Sequence, residues 1–373
     1  MTMRARFSLL LGVLMLTGPA SAQRALVVEE TFLTVTVEGQ TYRLEALVAK
    51  EAGGERLPVA LITHGQSADR ERREKMEARS FLWIARDFAR RGWLAVVVVR
   101  RGFGRSEGEK PYALRQCVGG DYAATLKDQT DDLAAALPAI AKRSDADPST
   151  VLALGVSVGG ATVLDLAARR PEGLKAAVNI SGGLRTMQRP DGKPVTCKEE
   201  DLVPLFASLG ERLRLPTLWL YAENDKLFPA DFVRKLHETY VAKGGRAQFH
   251  MFEAIGDDGH SMMNHHDGML RWLPALDRFL RDNKLRTYDP APIAAALAKL
   301  DLSMGARGVA NRYEGRPTEK VLVVSRSNRS AHARFGGREI EELEPQALEE
   351  CAKRAKEPCR PFLRNFEVVA GVP

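Results

Sequence analysis

Ser157 has the sequence context of a nucleophile. It lies in the pentapeptide Gly155–Gly159, which has the pattern G-x-S-x-G, directly after an apolar run that ends at Leu154. A segment with helical periodicity begins near Val158, so the serine would sit on a sharp turn between a strand and a helix. The glycines leave room for the close approach of these two elements. We therefore predict that the Ser157 hydroxyl is exposed above a sheet edge and can attack an electrophile.

A serine hydroxyl is a weak nucleophile at neutral pH and needs a base, which in turn needs an orienting acid. Asp225 and His260 follow Ser157 in the order nucleophile, acid, base. Asp225 lies just beyond the predicted strand at 217–221, and His260 lies in a glycine-rich loop after the next strand. Because loops at the carboxyl ends of parallel strands meet at one edge, these side chains are predicted to reach Ser157.

Other acidic and imidazole groups compete for these roles. Glu223 lies two residues closer to the strand than the predicted acid, and His265 and His266 begin the final helix of this region. We favour the residues that lie deeper in the loops. His237 and His250 fall within a predicted helix and strand, which indicates structural roles. The histidine spacing matches no metal motif, so neither a metal nor an organic cofactor is predicted.

Acyl transfer also requires N–H donors for the oxyanion of the tetrahedral intermediate. The backbone N–H of Val158 is the first after the nucleophile and is one predicted donor. The second is expected in the loop Thr63-His64-Gly65-Gln66-Ser67 after the third strand. We assign the backbone N–H of Gln66, with Ser67 as an alternative, and expect His64 to brace the loop.

The elements around these residues predict an α/β architecture. Alternating residues at 31–37 and 42–49 indicate an antiparallel hairpin. Short, nearly continuous apolar runs then alternate with helix-period segments, which is typical of a mostly parallel sheet covered on both faces. The predicted strands of that sheet are 59–63, 94–99, 151–154, 176–180, 217–221 and 247–252, and the helices between them are 77–90, 122–142, 161–169, 231–241 and 269–281.

From about Thr31 to Lys284 the chain resembles the α/β-hydrolases, and among these the dienelactone hydrolase-like and related exported serine hydrolases. The matching stretches are Leu61–Gly65, Arg100–Gly108, the elbow at Ser157, Asn224-Asp225 and Gly259-His260. The resemblance implies the α/β-hydrolase fold, a doubly wound and mostly parallel sheet. It also implies a triad of Ser157, Asp225 and His260.

Dienelactone hydrolases proper carry a cysteine nucleophile at the elbow, where this chain has Ser157. The expected activity is therefore that of a serine esterase that acts on small or polymer-linked carboxylic esters. One alternative is a peptidase of the prolyl oligopeptidase kind. Those enzymes usually carry a large N-terminal gating domain, and only about 35 residues separate position 23 from the strand at Val59. A second alternative is an envelope-binding protein on a hydrolase scaffold.

The C-terminal part is predicted to be a small α+β module. Pro and Gly residues through 285–319 indicate a connector with at most one short helix, and residues 320–373 contain strand, helix and strand signals. Four cysteines permit three pairings. Cys351 and Cys359 are close enough in sequence to pair, which would leave Cys117 and Cys197 to each other in the loops at the rim of the sheet.

Residues 1–22 read as a secretory signal, with Arg4 and Arg6 before a short apolar run and Ala20-Ser21-Ala22 at its end. The catalytic domain would then span 23–284, in the periplasm or outside the cell, where cysteines can pair. No apolar segment reaches the roughly 20 residues that a membrane span needs. The formal charge of +7 is spread among mixed charges, which argues against nucleic acid as a partner. The oligomeric state is left open.

Overall fold

The computed structural model describes residues 23–67, 69–108, 122–184, 199–337 and 339–369. The predicted signal segment at 1–22 lies outside these ranges. Cys117 and Cys197 also lie outside them, so their predicted pairing stays a prediction. Among the described residues, no helix combines the length and the apolar character that a membrane crossing requires.

An eight-stranded sheet forms the centre of the larger part of the chain. Its strands, in chain order, are β1 (Leu26–Val37), β2 (Gln40–Glu51), β3 (Leu57–Thr63), β4 (Leu94–Val98), β5 (Ala146–Val156), β6 (Leu174–Ile180), β7 (Thr217–Ala222) and β8 (Ala247–Phe252). The spatial order is β1-β2-β4-β3-β5-β6-β7-β8. The β1–β2 hairpin joins β4 in antiparallel fashion, and β4, β3 and β5 to β8 pair in parallel.

Helices cover both faces of this sheet. They are α1 (Arg70–Glu74), α2 (Leu82–Arg90), α3 (Tyr122–Ala141), α4 (Val158–Ala168), α5 (Glu199–Arg212), α6 (Ala230–Ala242) and α7 (His266–Asp282). Helices α2 and α7 pack on one face, and α3 to α6 pack on the other. The predicted fold class, a doubly wound and mostly parallel sheet with an N-terminal hairpin, is confirmed.

Apolar side chains on both sides of the inner parallel strands explain why the centre of this sheet is buried. All seven residues of β3, all five of β4 and all six of β7 are buried. Strands covered on both faces are expected to be continuously apolar rather than alternating. The carboxyl ends of β3, β5 and β6 are held in register by the pairs Thr63↔Gly155 and Gly155↔Asn179, so the loops that follow them open at one edge.

The C-terminal part contains a second, separate sheet. Two helices precede it, α8 (Ala291–Ala298) and α9 (Met304–Tyr313), where the sequence predicted at most one. The module then contains β9 (Lys320–Ser325), β10 (Ala331–Phe335), α10 (Ile340–Ala355), β11 (Cys359–Arg364) and β12 (Glu367–Val368), with the antiparallel order β10-β9-β11-β12. Side chains of α8 and α9 pack on one face of this sheet, and α10 packs on the other.

A disulfide bond joins Cys351 in α10 to Cys359 at the start of β11. Only seven residues separate the two cysteines in sequence, and the bond closes the turn between the helix and the strand. Small cores such as this one gain stability from such cross-links because the bond reduces the entropy of the unfolded chain.

A buried ionic cluster attaches the module to the α2 and α7 face of the larger sheet. The Arg91 guanidinium, directly after α2, lies between Asp87 and Asp277, and all three side chains are at most 1% exposed. Asp87 Oδ1 also accepts the backbone N–H of Thr318 at 3.0 Å, two residues before the module's first strand. Beside it, Arg90 forms a two-pronged ion pair with Glu319. The contact is therefore desolvated and charge-paired.

Candidate active site

Ser157 occupies a strained turn between β5, which ends at Val156, and α4, which begins at Val158. Its φ and ψ are 55° and −127°, a region that residues with a side chain rarely adopt. A Cβ on Gly155 would lie 2.0 Å from the Gly159 carbonyl oxygen, so only glycine permits this crossing of strand and helix. The sequence context of the predicted elbow is thus present in the structure.

The strain at Ser157 leads to a testable expectation. Glycine tolerates this φ and alanine does not, so the free energy of unfolding should be about 1 kcal/mol higher for Ser157→Gly than for Ser157→Ala. At most other positions glycine is the less stable of the two. Chemical denaturation of the two variants, which both lack the hydroxyl, isolates the backbone effect. An alanine variant as stable as the glycine variant would show that the turn is not strained.

His260 lies between the other two predicted side chains. It is the central residue of a short 3₁₀ helix at Gly259–Ser261, in the loop between β8 and α7. Its Nε2 is 3.0 Å from Ser157 Oγ, and its Nδ1 is 3.1 Å from Asp225 Oδ2. In neutral histidine one nitrogen donates and the other accepts, so Nδ1–H faces the carboxylate and Nε2 can accept the serine proton.

The Asp225 side chain is fully buried at the bottom of the loop after β7. Its Oδ1 accepts the backbone N–H groups of Leu227 at 2.8 Å and Phe228 at 2.9 Å. Both carboxylate oxygens therefore have hydrogen-bond donors, which is the usual requirement for a buried charge. These bonds fix the carboxylate in the orientation that holds the imidazole of His260.

Two side chains clamp the loop that carries Asp225 to the loop that carries His260. The Asn224 amide bonds the backbone of Ile255 and Gly256 at 2.9 to 3.2 Å. Asp258 Oδ1 accepts the backbone N–H of Lys226 at 3.1 Å and that of His260 at 3.0 Å. Sequence reasoning did not assign these two roles, although Asn224 directly precedes Asp225 and Asp258 lies two residues before His260.

The rival side chains lie elsewhere. The Glu223 side chain is 55% exposed and faces Arg234 at 3.6 Å. His265 Nδ1 accepts the backbone N–H of Asp267 and thereby caps α7, while His266 is exposed beside the same aspartate. His237 stacks on Phe249, and His250 stacks on Phe252.

The loop after β3 lies against the nucleophile. A Cβ on Gly65 would come within 3.0 Å of Ser157 Cβ, so the two backbones touch and Gln66 follows directly. Val158 is the first residue of α4, where N–H groups have no acceptor within the helix. Both predicted donors therefore adjoin the nucleophile: Val158 follows Ser157 directly, and Gln66 follows a glycine that contacts it.

His64 and Arg100 hold the loop after β3 in place. His64 Nδ1 donates to the Gly65 carbonyl at 2.6 Å, and Nε2 accepts the backbone N–H of Arg100 at 3.0 Å. Burial and the adjacent Arg100 charge hold the pKa of His64 well below its ordinary value, so the ring stays neutral. The Arg100 guanidinium also donates to the His64 and Gly65 carbonyls. His64 therefore braces the backbone.

Comparison with known proteins identifies a family that the sequence matches. The sequence profile of the dienelactone hydrolase family matches residues 76–277, a range that includes all three side chains of the hydrogen-bonded chain. No significant match is found among the curated proteins.

Several solved structures resemble this one. A putative dienelactone hydrolase from Klebsiella pneumoniae is 20% identical, with 67% of this chain and 98% of that chain covered and a TM-score of 0.44. An esterase from Pyrococcus furiosus is 12% identical, with 68% and 90% covered and a TM-score of 0.48. An acylaminoacyl peptidase from Pyrococcus horikoshii is 17% identical, with 70% and 43% covered and a TM-score of 0.47. The family profile alone spans more than half of the 373 residues, and the protein therefore belongs to the dienelactone hydrolase family.

Proposed function

We propose that this protein is a serine hydrolase that cleaves carboxylic esters through an acyl-enzyme intermediate. The observation that carries the proposal is the continuous hydrogen-bonded chain from Asp225 through His260 to Ser157, with contacts of 3.0 to 3.2 Å. A hydroxyl, an imidazole and a buried carboxylate in this order form the arrangement that activates serine for nucleophilic attack.

In the first half-reaction, Ser157 Oγ attacks the acyl carbon of the ester and its proton moves to His260 Nε2. Asp225 stabilises the resulting imidazolium through Nδ1–H. The oxyanion accepts hydrogen bonds from the backbone N–H groups of Val158 and Gln66. The intermediate then collapses, the bond from the acyl carbon to the alcohol oxygen breaks, and the alcohol leaves with the proton from Nε2.

In the second half-reaction, water attacks the acyl carbon of the Ser157 ester and transfers a proton to His260 Nε2. The new tetrahedral intermediate uses the same oxyanion donors. Its collapse breaks the bond to Ser157 Oγ, which regains a proton from Nε2, and the carboxylic acid is released. Every proton transfer therefore passes through one imidazole nitrogen.

The same proposal includes the organisation and location of the chain. We assign residues 23–284 to the catalytic domain, 285–319 to the connection and 320–373 to the C-terminal module, after removal of 1–22 on export. The Cys351–Cys359 disulfide supports an oxidising compartment, because such bonds are rare in the cytosol. Helices α8 and α9 lie within the connection and pack on the module's sheet.

The test is covalent labelling combined with a substrate panel. A fluorophosphonate should attach to the purified wild-type protein, and peptide mass spectrometry should locate the adduct on Ser157. The Ser157→Ala variant serves as the matched control and should remain unlabelled. Hydrolysis of p-nitrophenyl esters of increasing acyl length, in preference to aminoacyl p-nitroanilides, is the expected specificity.

Two outcomes would contradict this proposal. Labelling that persists in Ser157→Ala would assign the nucleophile to another residue. A preference for the anilides over the esters would identify a peptidase instead of an esterase.

A further inference from the structure

A pair of buried polar side chains lies beneath the nucleophile elbow and has no place in the proton transfers described above. Tyr221 on β7 and Asn179 on β6 are both fully buried. Asn179 Nδ2 donates to the Tyr221 hydroxyl at 2.9 Å, and that hydroxyl donates to the Gly182 carbonyl at 2.5 Å. Buried polar groups in an otherwise apolar core are costly, so the presence of this pair calls for a structural explanation.

One peptide unit connects this pair to the nucleophile. The Gly182 carbonyl, which accepts the Tyr221 hydroxyl, belongs to the same planar peptide as the Gly183 N–H. That N–H donates to the Ser157 carbonyl at 3.3 Å. Because a peptide is rigid, a bond that fixes its oxygen also fixes the direction of its N–H. The Tyr221 hydroxyl thus controls a hydrogen bond to the strained residue.

Close packing leaves this peptide little freedom. A Cβ on Gly182 would lie 1.7 Å from Asn179 Oδ1, and one on Gly160, in the first turn of α4, would lie 2.1 Å from the same atom. A Cβ on Gly183 would lie 2.4 Å from the Phe228 ring. Asn179 therefore fills the space between the elbow helix and the 181–184 loop, and only glycines fit around it.

The number of available protons fixes the direction of these hydrogen bonds. The Tyr221 hydroxyl has one proton, which it donates to the Gly182 carbonyl, so its oxygen can only accept from the N–H of the Asn179 amide. Burial raises the pKa of Tyr221 above its ordinary value, which keeps the hydroxyl protonated and able to donate. Within the described ranges the Asn179 Oδ1 atom has no hydrogen-bond partner, so the amide's contribution to the network is its donation to Tyr221.

We propose that Tyr221 and Asn179 are positioning residues that hold Ser157 in its reactive geometry through the Gly182–Gly183 peptide. The inference rests on the proposed function, since the geometry it maintains is that of the attacking serine. Phe228 extends the same support, because its ring contacts Gly183 and lies 5.6 Å from the His260 ring. The network thereby joins the nucleophile loop to the loop that carries the acid.

Two conservative variants test this inference. Tyr221→Phe removes the donor to Gly182. Asn179→Asp keeps the side-chain shape but offers an acceptor, which draws the Tyr221 proton away from Gly182. In each, kcat for a p-nitrophenyl ester and the rate of fluorophosphonate labelling should fall about 10- to 100-fold, the scale of a small misplacement of a reacting group. KM should stay within about twofold, because ester binding is not the step affected.

Tyr313→Phe is the matched control. Its hydroxyl is also buried and bonds the Lys320 and Asn365 carbonyls at 3.0 Å each, but it lies in the C-terminal part of the chain. This variant should lower the melting temperature while leaving kcat unchanged. The double variant Tyr221→Phe/Asn179→Asp should lose no more activity than the larger single loss, because both changes release the same peptide.

The outcomes separate the two proposals. A wild-type protein that neither labels nor hydrolyses esters contradicts the proposed function and this inference with it. An active wild type with unchanged kcat in both single variants overturns the positioning role alone. The positioning role would also be overturned if Tyr313→Phe lost as much kcat as the two test variants at the same loss of melting temperature. General destabilisation would then explain the effect.

Discussion

The Ser157→Ala and His260→Ala variants are each expected to lose about 10⁴- to 10⁶-fold in kcat for ester hydrolysis. Either change removes the activated oxygen nucleophile, since the hydroxyl is weak without the imidazole at 3.0 Å. The double variant should be no slower than the single ones, because the two side chains act as a unit. Steady-state kinetics on a p-nitrophenyl ester gives kcat for the two single variants and the double variant. If the fold loss of the double variant equalled the product of the two single losses, a shared proton transfer would be contradicted.

The chain offers a matched control for the acid in the same loop. Asp225→Asn should lower kcat by about 10⁴-fold, because the amide favours the wrong imidazole tautomer. Glu223→Gln makes the same chemical change two residues away, on a side chain that is 55% exposed, and should leave kcat unchanged. A loss of kcat in Glu223→Gln but not in Asp225→Asn would assign the role of the acid to Glu223. Comparable losses in both variants would indicate that the loop's charge matters more than the specific contact.

Arg91→Ala should lower the free energy of unfolding by about 3 to 5 kcal/mol. The substitution leaves the buried carboxylates of Asp87 and Asp277 without the guanidinium that bonds them at 2.5 to 2.8 Å. Two unpaired carboxylates raise the free energy of the folded state, where they are buried, more than that of the unfolded chain, where water solvates them. Denaturant unfolding, followed by tryptophan fluorescence, measures the loss.

Exposed and conservative substitutions supply the controls for this interface. Arg24→Ala breaks an ion pair whose side chains are 59% and 53% exposed, and should cost less than about 1 kcal/mol. Arg91→Lys keeps the charge but lacks the planar fork that bonds Asp277 twice, so an intermediate loss is expected. This variant remains measurable if alanine prevents folding. Equal stability of Arg91→Ala and Arg24→Ala would show that the buried cluster does not hold the two parts together.

Local sequence patterns were sufficient to predict the sheet and the residues that meet at its edge. Continuous apolar runs identified the buried parallel strands, and glycines around Ser157 identified the elbow. The position of Asp225 and His260 after successive strands predicted their meeting, because parallel strands end at a common edge. The structure brings these three side chains together, and their chemical roles stay proposals.

Other features could not be predicted because their partners are distant or their local signals conflict. Helix α5 contains Pro204 and Gly210, which obscure its periodicity. The connection at 285–319 is rich in helix breakers, yet its helices are stabilised by the sheet on which they pack. The clamps at Asn224 and Asp258 involve backbone groups, which sequence periodicity does not reveal.

The ionic cluster also determines when the molecule can be completed during synthesis. Asp87 and Thr318 are 231 residues apart, and Arg91 and Asp277 are 186 apart. A growing chain that ends after α6 contains Arg91 and Asp87 but lacks Asp277, the second carboxylate that Arg91 bonds. Contacts this distant in sequence form late and slowly. Folding from the N-terminus therefore stops short of the native state until residues as far as Thr318 are available.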